Sequence, residues 1–126
     1  MDELIFFTYP SCTSCRKTKK WLKTNEVDFV ERHLFRETPT LEELFHLLSM
    51  TTEGLDELLA TRSQSFKNLK QDVNDLSLSE VVNLIIQEPK LLKRPILTDG
   101  HKLVVGYNLE GLRSLSSKKK IFKLSS

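Results

Sequence analysis

The chain has 126 residues, enough for one domain with one hydrophobic core and too few for a multidomain assembly. Its 19 Lys and Arg residues nearly balance its 17 Asp and Glu residues, and a net charge of +2 does not by itself indicate a protein that grips DNA phosphates. No apolar run approaches the roughly 20 residues that span a bilayer, and the signal-peptide pattern is absent. We expect a soluble, cytoplasmic protein with no membrane partner, which would reach nucleic acid only through another protein.

The first quarter of the chain predicts a βαβ unit. Residues 4–7 form an apolar run rich in β-formers, and residues 16–23 are good helix formers, with the helix expected to end near Asn25. Residues 27–31 then alternate between apolar and polar side chains, as a half-buried strand does. A helical crossover of this kind makes the two strands parallel.

Both cysteines, Cys12 and Cys15, lie between the first strand and the first helix. Pro10 cannot continue a central strand, and Ser11 or Thr13 can cap the helix with a side-chain oxygen. Cys12 should therefore fall at or near the helix N-terminus, where unpaired backbone N–H groups and the nearby cation Arg16 favour a thiolate.

The spacing of Cys12 and Cys15 suits reversible disulfide chemistry. Residues at i and i+3 of a helical turn have Cα atoms about 5 to 6 Å apart, which a disulfide accepts. We assign Cys12 as the attacking thiol and Cys15 as the resolving thiol, with the reverse order left open. The alternative is that both cysteines only pack as small apolar side chains and have no redox role. A metal site is disfavoured because the three histidines are scattered, and we expect no cofactor.

The middle of the chain predicts three helices. Capping-box patterns open the first at Thr40 and the third at Ser77, which gives helices over residues 41–49 and from 78 to Pro89. A second helix is expected over residues 56–60, and short helical turns are expected around Phe66 and Leu69.

Strand character returns at residues 95–98 and 102–105, separated by a two-residue Asp99-Gly100 hairpin turn. Asn108 can cap a last helix that ends near residue 115, before a Ser/Lys-rich tail. The order of elements predicts an α/β fold: a thioredoxin-like mixed sheet with an inserted helical subdomain. We place the thioredoxin-like core in residues 1–35 and 90–126 and the helical insert in residues 36–89 of a single domain.

Five segments in order extend these observations over nearly the whole chain: Pro10-Ser11-Cys12-Thr13-Ser14-Cys15-Arg16, Met50-Thr51 with Gly54, Thr61-Arg62-Ser63, Arg94-Pro95-Ile96 and Val105-Gly106-Tyr107-Asn108. On these segments the chain resembles the Spx-type redox-responsive transcriptional regulators, which share a fold with the thiol-linked arsenate reductases.

The resemblance implies a stress-response regulator that binds the C-terminal domain of the RNA polymerase α subunit and meets promoter DNA only within the polymerase complex. It implies that a Cys12–Cys15 disulfide activates the protein, that Gly54 lies at the polymerase contact, and that Arg94 is linked to the oxidised state. It also implies a structural cis-proline at Pro95. The family is degraded by the protease ClpXP through an apolar C-terminus, a pattern from which the ending Leu124-Ser125-Ser126 departs.

An arsenate reductase is the main rival, with Cys12 as the nucleophile. Arg62 and Arg94 match two of the three arginines that hold the oxyanion in that enzyme, which makes them anion-contact candidates. The third would fall at residues 106–108, where the chain reads Gly-Tyr-Asn. Loss of one charge-assisted hydrogen bond costs roughly 1.5 to 3 kcal/mol, so a regulator is favoured over the enzyme. A general thiol oxidoreductase would fit the cysteines but leave the helical insert unexplained.

Overall fold

The computed structural model of the chain describes residues 3–115, so our predictions for Lys118-Lys119-Lys120, Ile121-Phe122 and the C-terminal Leu124-Ser125-Ser126 lie outside the described residues. The chain divides into two compact units. One comprises the described residues up to Arg32 together with those from Arg94 onward, and the other is His33–Lys93.

A mixed four-stranded sheet is present, as predicted, with the strand order β2-β1-β3-β4. Strands β1 and β3 are antiparallel, with Ile5 opposite Thr98, and β3 and β4 are antiparallel, with Thr98 opposite Leu103. The elements that build this part of the chain are β1 (Ile5–Thr8), α1 (Thr13–Thr24), β2 (Val30–His33), β3 (Ile96–Thr98), β4 (Leu103–Val105) and a terminal helix α5 (residues 109–115).

One face of the sheet carries the core of the first unit. Buried side chains from β1, β3, β4, α1 and α5 form a single cluster, and the Phe6 and Phe29 rings meet edge to face with centroids 5.5 Å apart. Each fully buried large apolar side chain contributes about 1.5 to 3 kcal/mol, so the cluster fixes α1 and β1 firmly. Its buried members are Leu4, Phe6, Leu22, Val27, Leu97, Val104, Leu112 and Leu115.

The second strand starts later than its hydrophobic pattern predicted, at Val30 rather than residue 27. Helix α1 ends as expected, but Glu26 then adopts a positive φ of 56°, and the Val27 amide donates back to the Leu22 carbonyl over 2.9 Å. This is the hydrogen-bond pattern of a Schellman helix end. Val27 and Phe29 are therefore apolar because they pack into the core, and the strand begins after them.

The predicted β-hairpin is present, but its loop has four residues rather than two. Thr98 pairs with Leu103, which leaves residues 99–102 in the turn. Asp99 Oδ1 accepts hydrogen bonds from the amides of His101 and Lys102, both over 2.9 Å. The aspartate side chain thus closes a longer turn than the Asp-Gly dipeptide alone indicated.

The two capping boxes in the second unit define its main helices, as predicted. Helix α2 spans Leu41–Ser49 behind Thr40, and α4 spans Leu78–Gln87 behind Ser77. Each cap side chain accepts the N3 amide while the N3 glutamate accepts the cap amide. Helices α2 and α4 contact each other through buried aliphatic residues. No helix in residues 3–115 is long and apolar enough to cross a membrane.

The helix predicted over residues 56–60 is wrong. The chain forms a 3₁₀ turn at Gly54–Glu57, after which Leu59 makes an antiparallel bridge with Leu92. The Lys93 amide donates to the Leu58 carbonyl over 2.8 Å, so pairing with residues 91–93 replaces continuation of the helix. The remaining turns are a short helix α3 (Gln64–Lys67), which includes Phe66, and 3₁₀ turns at Val73–Asp75 and Pro89–Leu91.

Candidate functional site: the cysteine pair at the start of helix α1

Cys12 itself caps helix α1, so our prediction that Ser11 or Thr13 would provide the cap is wrong. Its backbone is extended, with φ −89° and ψ 120°, and its Sγ atom accepts a hydrogen bond from the Cys15 amide over 3.2 Å. The Cys12 amide donates to the Tyr9 carbonyl over 3.1 Å, which closes the turn between β1 and α1. The thiol thus occupies the position at which a serine or threonine oxygen usually caps a helix.

The two thiols have different environments. Both are unbridged in this structure; Cys12 is half-buried, whereas Cys15 is 1% exposed. Burial, followed by its hydrogen bond to Cys12, raises the pKa of the Cys15 thiol from 9.0 to about 11. A reagent in solvent can reach Cys12 directly, while Cys15 is a protonated, enclosed thiol at neutral pH.

The group that meets the Cys12 sulfur is a helix-end amide rather than Arg16. The amide of Cys15 donates to Cys12 Sγ, and N–H groups at a helix start favour negative charge. The Arg16 guanidinium instead donates to the Pro10 carbonyl over 3.0 Å and to Thr13 Oγ1 over 3.4 Å. The sequence suggested that Arg16 would stabilise the Cys12 thiolate directly. In the structure, its guanidinium instead stabilises the turn that surrounds this sulfur.

Arg94 and Pro95 lie beside Cys12. The Arg94 carbonyl oxygen is 4.0 Å from Cys12 Sγ, and the Arg94 guanidinium lies 5.9 Å from the centroid of the Tyr9 ring. The Arg94–Pro95 peptide bond is cis, as predicted. The Pro95 carbonyl accepts the Gly106 amide over 2.8 Å, which joins this segment to the one after β4. Arg94 and Pro95, which the family resemblance singled out, therefore lie in the segment next to the Cys12 thiol.

Gly54 and Arg62 belong to the other unit. Gly54 begins a 3₁₀ turn with φ +80°, and a Cβ atom added there would meet nothing within 4 Å. Arg62 is exposed in the turn before Ser63, the cap of α3. The open space at Gly54 suits a surface contact, and its positive φ also gives a purely conformational reason for glycine.

Two features around the cysteines were not predicted from the sequence. The Thr8 side chain, at the end of β1, acts to lower the pKa of the Cys15 thiol, against the larger effect of burial, which raises it. Lys17 Nζ lies 6.0 Å from the centroid of the Tyr107 ring, in the segment where a reductase would carry its third arginine. Strand alternation could have identified Thr8, because it places Thr8 on the same face as Phe6; nothing local links residues 17 and 107.

Within residues 3–115, no three His, Cys, Asp or Glu side chains group closely enough to hold a metal ion. What the described residues offer is a half-buried thiol, a buried thiol one helical turn later, and an arginine and its carbonyl beside them. In this arrangement, the Cys12 sulfur can attack an electrophile. The Cys15 sulfur can then displace the bound group by forming a disulfide with Cys12.

The ArsC family model matches residues 7–115, which include both cysteines and every described strand except part of β1. The chain belongs to the ArsC family. Among solved structures, an ArsC family related protein from Bacteroides fragilis aligns with a TM-score of 0.82 at 28% identity, covering 90% of this chain and 97% of that one. A possible arsenate reductase from Streptococcus mutans aligns with a TM-score of 0.75 at 30% identity, covering 86% and 93%.

Three curated relatives of the chain are named as regulators. The regulatory protein MgsR of Bacillus subtilis is 60% identical over 95% of each chain. The global transcriptional regulator Spx of Lactiplantibacillus plantarum is 45% identical over 92% of this chain and 88% of the relative. The global transcriptional regulator Spx of Staphylococcus aureus is 42% identical over 90% of this chain and 86% of the relative. The predicted resemblance to Spx-type regulators is confirmed, and these relatives favour a regulator role over an enzymatic one.

Proposed function

We propose that this protein is a redox-responsive transcriptional regulator that binds the C-terminal domain of the RNA polymerase α subunit when Cys12 and Cys15 are joined by a disulfide. The observation that carries the proposal is the contact between the Cys12 sulfur and the Cys15 amide at the start of α1. It holds the accessible thiol within one helical turn of the buried one.

When the oxidant is a peroxide, the disulfide forms in two steps, through a sulfenic acid at Cys12. The Cys12 thiolate attacks one peroxide oxygen, the O–O bond breaks, and Cys12 becomes a sulfenic acid as hydroxide leaves. The Cys15 sulfur then attacks the Cys12 sulfur, the S–O bond breaks, and the departing hydroxide takes the Cys15 proton to form water. Two electrons move from the thiols to the peroxide, and a cellular dithiol reverses the reaction.

The polymerase contact is proposed to include Gly54. Its surroundings are open, and a large side chain there would extend into whatever surface packs against the turn. Arg94 is proposed to respond to oxidation, because its carbonyl lies 4.0 Å from the sulfur that changes its bonding. Promoter DNA is contacted within the polymerase complex, since a net charge of +2 gives the chain little affinity of its own for phosphates.

Arsenate reduction is the second candidate, favoured by a specific observation: Cys12 caps the N-terminus of helix α1, a position that suits a nucleophile attacking an oxyanion. Against it, the segment from Gly106 to Asn108 contains no arginine. The cation beside that segment is Lys17, whose ammonium group faces the Tyr107 ring. A lysine cannot make the bidentate contact with an oxyanion that an arginine guanidinium makes.

A binding assay with purified α C-terminal domain separates the two candidates. The regulator proposal predicts tight binding by peroxide-oxidised protein, weak binding by reduced protein and by oxidised Cys15→Ala, and no arsenate turnover with a thiol reductant. Arsenate turnover without α-subunit binding in either redox state would overturn it in favour of the enzyme. ClpXP turnover is tested separately, by degradation of the full chain with and without its last three residues.

A further inference from the structure

Positive charge is concentrated on helix α1. Five of its 12 residues are lysine or arginine, and none is acidic. In the rest of the chain, the other 14 lysines and arginines are outnumbered by the 17 aspartates and glutamates. The near-neutral balance of the whole sequence therefore conceals one strongly basic element.

The cations of α1 lie mainly on the side of the helix opposite to its buried residues, which include Cys15 and Leu22. Side chains three or four positions apart follow one line along a helix, and seven positions cover about 10 Å of its length. The exposed cations, which we call the basic face of α1, are Arg16, Lys17, Lys20 and Lys23.

Lys20 lies at the centre of the basic face. Among residues 3–115 its ammonium group makes no ion pair or hydrogen bond. Lys19, the preceding residue, is turned about 100° around the helix and binds Glu31 over 2.9 Å, so its charge is balanced. The next acidic residues along the chain, Glu26 and Asp28, follow the end of the helix. The charge of the face is therefore largely uncompensated around Lys20.

The stability of α1 does not account for these charges. Like charges three or four residues apart, such as those of Arg16 and Lys20, repel each other. The first turn of a helix favours anions, yet α1 has no acidic residue there and carries Arg16 and Lys17 close to its start. An anionic surface lying against the helix would relieve this repulsion.

The composition of the basic face fits DNA better than a protein partner. Lysine is depleted in protein–protein interfaces, whose centres are apolar, and the face itself contains no apolar residue. Tyr107, which is 40% exposed, lies at its edge, with the Lys17 Nζ atom 6.0 Å from the centroid of its ring. Lysine, arginine and tyrosine side chains are all common partners of DNA phosphates.

We propose that the basic face of α1 contacts the phosphate backbone of promoter DNA in the complex with polymerase. The inference rests on the proposed function, which supplies the setting, and adds the surface that makes the contact. A few phosphate contacts give the protein alone only weak, salt-sensitive binding. Attachment to an α subunit on the same DNA raises the effective concentration of the duplex. The contact reads no base sequence, since phosphates carry none.

The contact is tested first without polymerase. The full chain is titrated into a fluorescein-labelled DNA duplex of about 30 base pairs, and its affinity is measured by anisotropy over a series of salt concentrations. Each phosphate contact contributes about 0.9 to the slope of log affinity against log salt, so Lys20→Gln should reduce the slope by about 1 and weaken binding about 5- to 10-fold near 0.1 M salt. Lys20→Arg should retain both. Lys19→Gln, which removes the same charge from the adjoining side of the helix, should keep the natural slope.

The titrations are then repeated with oxidised protein and saturating α C-terminal domain, and binding to that domain is also measured without DNA. Lys20→Gln should lose DNA affinity by a similar factor and bind the α domain as the natural chain does. Three results would overturn the inference: no DNA binding by the natural chain alone at low salt, a natural salt slope in Lys20→Gln, or an equal loss of slope in Lys19→Gln. Loss of α-domain binding by Lys20→Gln without DNA would overturn it in favour of a protein contact.

Failure of the proposed function gives a different result. In that case the natural chain does not bind the α domain in either redox state, and the contact between the basic face and DNA is decided by the titration of the chain alone.

Discussion

The Cys15 amide donates a hydrogen bond to the Cys12 sulfur over 3.2 Å, so the side chain of one cysteine caps the helix that contains the other. The Arg94 carbonyl oxygen lies 4.0 Å from the same sulfur. In the proposed switch, the sulfur that forms the disulfide is therefore in contact with both the first turn of α1 and the segment before β3.

Removal of either cysteine should abolish oxidant-induced activation. Cys12→Ala and Cys15→Ala each leave a single thiol that cannot form the intramolecular disulfide, and both should remain folded. Cys12→Ser is the matched control, because it retains a cap atom; Cys12→Ala should be less stable than Cys12→Ser by about 1 kcal/mol. Stress-dependent transcription and urea unfolding measure the two effects, and unchanged induction in either alanine variant would contradict the switch.

The stability of the reduced protein should fall at alkaline pH through Cys15. Below pH 9 this thiol is protonated in both folded and unfolded chains; between 9.0 and about 11 the unfolded thiol ionises while the folded one keeps its proton. The unfolded state then binds fewer protons, so the free energy of unfolding decreases with pH, by about 2 to 3 kcal/mol in total. Cys15→Ala and the oxidised protein should lack this component in urea titrations; equal pH slopes in all three would contradict it.

Gly54→Arg should abolish binding to the α C-terminal domain, because a long charged side chain would enter the proposed contact. Gly100→Arg is the matched control: Gly100 also has a positive φ and open space where a Cβ atom would lie, so the backbone strain is similar. Both variants should lose about 1 kcal/mol of stability, and only the first should lose binding. Equal binding by the two variants in a pull-down would remove Gly54 from the contact.

Arg94→Ala should uncouple oxidation from activity. The disulfide should still form, since the Arg94 group nearest Cys12 is its backbone carbonyl, which the substitution retains. The side chain over Tyr9 is lost, and we expect at least a several-fold reduction in binding of the oxidised protein to the α subunit. Lys93→Ala, the exposed neighbour, is the control. Full activation of Arg94→Ala would show that this side chain does not transmit the oxidised state.

Local signals in the sequence predicted the parts of the fold that depend on local physics. The capping boxes at Thr40 and Ser77 give α2 and α4 their starts because the cap and its partner lie within one turn. The pattern at residues 27–31 misplaced β2, because Val27 and Phe29 pack into the core while Glu26 reverses the chain. Leu58 and Leu59 are likewise held by pairing with residues some thirty positions later, which no local window contains.

The candidate site divides in the same way. The pattern of strand, proline and helix formers predicted that Cys12 lies at a helix start. It could not predict that Cys12 itself is the cap, because this depends on the side-chain rotamer of Cys12. The proximity of Arg94 to Cys12 came from family resemblance, since 82 positions separate the two residues. The effect of Thr8 on the pKa of Cys15 was not predicted because it depends on how β1 packs against α1.

If the Cys12–Cys15 disulfide controls binding to polymerase, disulfide formation and binding must change together. Samples equilibrated over a series of dithiol redox buffers are divided, and the disulfide fraction by mass spectrometry and the binding to the α C-terminal domain are measured on each pair. We predict that the two curves coincide, with the same midpoint and the slope of a two-electron couple. Binding that stays constant while the disulfide fraction rises from zero to one would show that the disulfide does not control it.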